Sequence, residues 1–173
     1  LIILGVVFGL TGRFFSALLQ KAKKLFGEKI SNPFIRIATL AVPLAILLFA
    51  IHSGRYTGLG TNLISASFAG ETIYGYDWIL KLLVTIFTLA IGVQGGEVTP
   101  LFSIGASLGI ILGSLLGIPP VICAALGYAA VFGSATNTLF APILIGLEVF
   151  GSQNIIPLVL VCIISYLVNG NRS

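Results

Sequence analysis

Polar residues are scarce in this chain, and their most informative cluster is Gln94-Gly95-Gly96-Glu97-Val98-Thr99-Pro100, wedged between two apolar segments. Pro100 suits the first turn of a helix, where its missing N–H forfeits no bond, so a helix is expected to start beside Thr99. The N-terminus of such a helix presents unpaired N–H donors and about half a positive charge, which favours an anion. The Thr99 hydroxyl can add a donor. Segments interrupted by Gly and Pro also mark substrate sites in transporters, because half-helix ends expose backbone groups at membrane depth. An ordinary N-cap that merely closes a helix fits the same spacing, and spacing leaves both readings open.

Glu97 is an ionisable group beside that break, which makes it a candidate for the proton path or for electrostatic tuning. A carboxylate stabilised by its helix N-terminus, or bathed in vestibule water, fits equally well. Glu148 raises the same question, with a structural pairing favoured. His52 closes an apolar run without a companion histidine and reads as a boundary residue. Cys123 and Cys162 lie in apolar segments, where a thiol behaves as a small hydrophobe. No metal-ligand cluster, catalytic triad or phosphate loop is present in the sequence, so an enzyme is not expected and no cofactor is implied.

The elements that must position these residues follow from composition. Of the 173 residues, 57% are hydrophobic and 8% charged, where a soluble domain carries about 25% charged. Mean hydropathy is +1.12. A soluble globular domain is excluded, and a multi-pass protein of the cell membrane is predicted, with the bilayer as its surroundings. The net charge of +4 reflects basic residues beside apolar runs rather than a nucleic-acid surface. Lys21, Lys23, Lys24 and Lys29 place residues 20–32 on the cytoplasmic side. With no methionine and Leu1 in first place, the chain is expected to be a piece of a longer polypeptide.

Residues 1–12 are apolar, and an amphipathic continuation through Phe26 predicts one helix ended by Gly27. Asn32-Pro33 restarts the chain, and residues 34–52 form a second span, with a kink expected at Pro43. A turn-rich link occupies 53–62. A short apolar piece, 63–69, precedes Tyr74, Tyr76 and Trp78, which read as interfacial anchors. Residues 79–93 form the third span and 101–117 the next. The segments 119–132 and 139–150 are short for a perpendicular span and read as broken or re-entrant helices. Residues 155–168 are a further apolar segment before a polar ending, 169–173. Gly105, Gly109, Gly113 and Gly117 recur every four residues, a helix face that lets another backbone approach closely.

At Gly96-Glu97-Val98-Thr99-Pro100, continuing through Leu101-Phe102-Ser103-Ile104-Gly105, the chain resembles the CLC family of chloride channels and proton-coupled anion transporters. The resemblance extends to Gly58-Leu59-Gly60-Thr61-Asn62, the run from Gly127 to Gly133, and Ala141-Pro142 through Glu148, in the same order over nearly the whole chain. It implies an all-α, polytopic membrane fold in which residues 1–173 are the C-terminal one of two inverted repeats of broken helices. The first half of the same polypeptide would be the partner within each subunit, and the subunits would pair as a homodimer partly through residues 139–168. Most chloride-handling members carry Phe where this chain has Val98, and Gly-Glu-Val-Thr-Pro looks like the fluoride-exporting, proton-coupled branch.

The resemblance therefore implies fluoride/proton antiport, with fluoride held at Val98 and Thr99 and with Gly95 and Gly96 giving the backbone room to approach it. Fluoride is a strong hydrogen-bond acceptor, so removing its hydration needs closely placed donors. The family's gating glutamate and pore tyrosine match no residue of this chain, and Glu97 does not take the glutamate's place. A chloride channel or chloride/proton antiporter is the first alternative; a non-transporting subunit packing through its glycine face is the second.

Overall fold

Proline placement sets most of the helix starts. The computed structural model describes residues 1–93 and 95–170, so Gln94 of the polar break and residues 171–173 of the polar ending lie outside the described residues. Among the described residues the chain forms eight α-helices and no strand: α1 (Ile2–Lys29), α2 (Pro33–Ala50), α3 (Thr61–Ala69), α4 (Asp77–Ala90), α5 (Val98–Leu116), α6 (Pro120–Ala135), α7 (Phe140–Phe150) and α8 (Ile155–Asn169). Pro33, Pro100, Pro120, Pro142 and Pro157 all stand in a first helical turn, where the backbone N–H has no intrahelical acceptor to lose. At α2 the Asn32 side chain completes the start, accepting from Phe34 N at 3.0 Å.

Among the described residues four helices are long and apolar enough to cross a membrane: Ile2–Lys29, Pro33–Ala50, Val98–Leu116 and the stretch Ser152–Asn169. Several boundaries differ from the sequence expectation, α2 ending at Ala50 and α3 starting at Thr61 among them. Helix α1 runs through Gly27 to Lys29, because one helical glycine costs only about 1 kcal/mol and a tail of good helix formers carries the helix past it. Helix α4 stops at Ala90, giving 14 residues or about 21 Å, so the third span falls short of the ~30 Å hydrocarbon thickness. Gly92, at φ +101°, turns the chain out of it. Helix α6 continues three residues past Phe132, to Ala135.

Helices α5 and α6 form the centre. Leu101, Ile104 and Leu108 of α5 are buried with Leu126, Ala129 and Val131 of α6, and α1 and α8 add Leu4, Phe8, Phe15, Leu158 and Val161. Lipid is as apolar as these side chains, so close packing and hydrogen bonds must hold the helices together. Gly105 and Gly109 supply the close packing. A Cβ on Gly105 would meet the Gly127 carbonyl, and one on Gly109 the Cys123 carbonyl. Gly113 sits against Pro120, whose Cα would lie 2.7 Å from an added Cβ. Gly117 departs from the expected packing stripe: at φ +66° it is the left-handed C-cap of α5, with nothing near its missing Cβ. The helix has ended there, so the four-residue repeat no longer points at α6.

Most hydroxyls buried in these helices are satisfied locally or across helices, as an apolar medium demands; Ser103 of α5 is an exception. Ser107 donates to Ser103 O within α5 at 2.7 Å. Ser134 of α6 donates to Gly9 O of α1 and Ser165 of α8 to Ala130 O of α6, each at 2.8 Å. Helix α2 stands apart, with Leu44 its sole buried residue.

Candidate functional site

The break between α4 and α5 is held at its near end by a cation from α2. Arg36 Nε donates to Ile91 O at 2.9 Å, an orphan carbonyl of the α4 C-terminus. Gly92 lies so close beneath the guanidinium that a Cβ would come within 3.2 Å of it. Gly95 and Gly96 are exposed, with open space where side chains would stand and without positive φ. Their contribution is thus clearance, not left-handed geometry.

Glu97 occupies the N-cap position of α5, but its side chain does not cap the helix. The first turn closes through Leu101 N to Glu97 O at 3.2 Å. The N–H groups of Val98 and Thr99 precede that bond and have no acceptor inside the helix, which leaves them facing outward at its positive end. Val98 is exposed, Thr99 half-buried and Pro100 buried. The Glu97 carboxylate pairs instead with Lys23 of α1 at 3.3 Å, both side chains about half exposed. A screened pair of this kind contributes little stability.

Lys23, Arg36, Gly92, Gly95 and Glu97 line one polar basin of about 640 Å³. Two cations against one carboxylate leave it net positive at the mouth of the α5 N-terminus. Of the sequence-predicted residues Gly95 and Glu97 line this basin, with Gly96, Val98 and Thr99 next to them in the chain, and the structure adds Lys23 and Arg36. Gly105, Gly109 and Gly113 lie elsewhere, along the α5–α6 contact.

The other residues weighed in the sequence fall outside this basin. Glu148 is exposed on α7 and makes no ion pair among the described residues, so the structural pairing expected of it is not found there. His52 is exposed at the end of α2, stacked on Tyr74 and Tyr76 at 5.7 and 5.8 Å between ring centres. Tyr74 and Tyr76 are themselves parallel, 5.4 Å apart.

Sequence reasoning missed a second polar cluster at the start of α4. Asp77 is fully buried and accepts from Arg55 at 2.7 Å, from the Tyr56 hydroxyl at 2.6 Å and from Tyr74 N at 2.9 Å. The hydrogen bond and charge of Asp77 raise the Arg55 pKa against the opposing effect of its burial. Burial, and then the bond to Asp77, push the Tyr56 phenol above its ordinary range, so it serves as a fixed donor. Four residues on, Lys81 is buried within α4. An ionisable residue inside an apolar run is a functional candidate; that criterion, applied in the sequence to Glu97 and Glu148, also selects Lys81.

The family model described as Voltage gated chloride channel matches residues 1–170. A chloride/fluoride channel protein of Pseudomonas syringae pv. tomato is 38% identical over 174 residues, covering 96% of this chain and 38% of that protein. An H(+)/Cl(-) exchange transporter ClcA of Yersinia pestis is 25% identical over 175 residues, covering 94% of this chain and 37% of that protein. Among solved structures, the crystal structure of a CLC-type fluoride/proton antiporter superposes with a TM-score of 0.95 at 51% sequence identity, over 97% of this chain and 42% of that one. The chain thus spans about two fifths of the length of the proteins it matches.

Proposed function

Because the chain belongs to the voltage-gated chloride channel family, we propose that it forms the C-terminal half of an integral membrane pathway exporting fluoride in exchange for protons. The observation that carries this reading is the start of α5, which its N-cap side chain leaves uncapped. Its first N–H groups, those of Val98 and Thr99, follow directly on Glu97, which lines a net positive basin, and fluoride, a compact and strong acceptor, needs such donors in place of its water. Identity of 51% to a fluoride/proton antiporter structure, against 25% to a chloride/proton exchanger, favours fluoride over chloride.

In this reading Val98 and Thr99 hold the ion, Gly95 and Gly96 clear the approach, and Glu97, paired with Lys23, tunes the local charge. The proton moves through a carboxylate of the first half of the same polypeptide, and the full protein works as a homodimer. The experiment is halide release from liposomes containing the full-length protein, with fluoride and chloride compared under an imposed proton gradient. Fluoride-selective flux driven uphill by protons is expected. Flux that is equal or chloride-favoured would replace the substrate, and no flux of either ion would favour a packing subunit instead.

A further inference from the structure

A cavity of about 340 Å³ between α2 and α4 reaches from Tyr56, Gly58 and Lys81 at one end to Gly95, Gly96 and Pro100 at the other. Lys81 is only 1% exposed. Its ammonium donates to Gly58 O at 2.7 Å and to Tyr56 O at 3.1 Å, two neutral carbonyls that orient the charge without cancelling it. Asp77, one helical turn earlier, is committed to Arg55, Tyr56 and Tyr74. No carboxylate among the described residues pairs with Lys81.

A second polar group stands unanswered beside it. The Ser103 hydroxyl is fully buried and has no hydrogen-bond partner among the described residues. Gly60 lies between the two, because a Cβ there would fall 2.6 Å from Ser103 Oγ and 2.7 Å from Lys81 Cε. A buried charge without a counter-ion is costly, and apolar side chains of similar size would pack the same space more cheaply.

The geometry points to Lys81 as a halide site in its own right, one whose counter-charge is the anion on its way to or from the α5 N-terminus. The inference rests on the transport reading above and adds a position to it. The rest of the cavity wall is largely apolar, including Leu44, Leu48 and Val93, so the attraction of Lys81 is weakly screened along it.

The test is made on the full-length protein in liposomes, with fluoride as the probe and the half-saturating concentration as the readout. Lys81→Gln is expected to raise that concentration about tenfold, and Lys81→Arg to stay within about threefold of wild type. Because Lys81 also ties two carbonyls, a second pair of variants leaves that tie intact. Thr88 lines the same cavity; Thr88→Asp, which introduces a competing negative charge, is expected to act like Lys81→Gln, and the near-isosteric Thr88→Val is not. Flux that falls with Thr99→Ala but ignores both Lys81→Gln and Thr88→Asp would overturn the Lys81 site and leave the transport reading standing. Wild-type protein that carries neither fluoride nor chloride would remove both.

Discussion

At the residue scale, the proposed fluoride site rests on Val98 and Thr99. Loss of the Thr99 hydroxyl removes a donor to a charged ligand, an interaction of about 1.5–3 kcal/mol, so Thr99→Ala should raise the half-saturating fluoride concentration roughly tenfold to a hundredfold in liposome flux. Val98→Phe changes the size and shape of the side chain over the donors; the ratio of fluoride to chloride flux should fall by about tenfold. Glu97→Gln breaks a pair with Lys23 in which both side chains are half exposed, and the change in stability should stay below about 1 kcal/mol. A larger loss in a detergent melting experiment would mean that Glu97 has a further partner in the full protein. The break itself was visible as a polar, Gly- and Pro-containing interruption. That Lys23 and Arg36 converge on it was not, since they lie 74 and 55 residues from their contacts at Glu97 and Ile91.

At the scale of elements, the α5–α6 contact depends on absent Cβ atoms, and the start of α4 depends on one carboxylate. Gly109→Ala would force a methyl group against the Cys123 carbonyl, with an overpacking cost of about 1–3 kcal/mol. Gly117→Ala meets no neighbour and costs only the strain of φ +66°, about 1 kcal/mol. The melting temperature should therefore fall further for Gly109→Ala; equal shifts would contradict the close approach. Asp77→Ala leaves the Tyr56 hydroxyl without its acceptor and Arg55 with only Thr72 O and should destabilise the protein by about 3 kcal/mol, while Asp77→Asn should cost less because it keeps the shape and one acceptor oxygen. The glycine period announced a packed face, but whether its last member still packs depends on where the helix stops, and a spacing pattern carries no such information.

For the whole molecule, α1 ends in a lysine-rich turn and α2 returns the chain, so residues 20–32 and the link after α2 should lie on opposite sides of the membrane. Single cysteines at Glu28 and Glu71, both exposed, should then react with a membrane-impermeant maleimide from the cytoplasmic and external sides respectively; Cys123 and Cys162 are buried and should add little background. Labelling of both from one side would refute this topology. Apolar composition was sufficient to require a helical membrane protein, because backbone groups in lipid must bond within their own segment, and the prolines marked most of the helix starts. Local residue types therefore determined the class, the elements and the interruption between α4 and α5. Tertiary structure alone decided which charges meet. The basin of Lys23, Arg36 and Glu97 joins helices far apart in the chain, while the burial of Asp77 with Arg55, 22 residues away, and of Lys81 without a carboxylate partner among the described residues comes from folding the α2–α4 link back onto α4; electrostatic partnership depends on distance in space, which the order of residues does not encode.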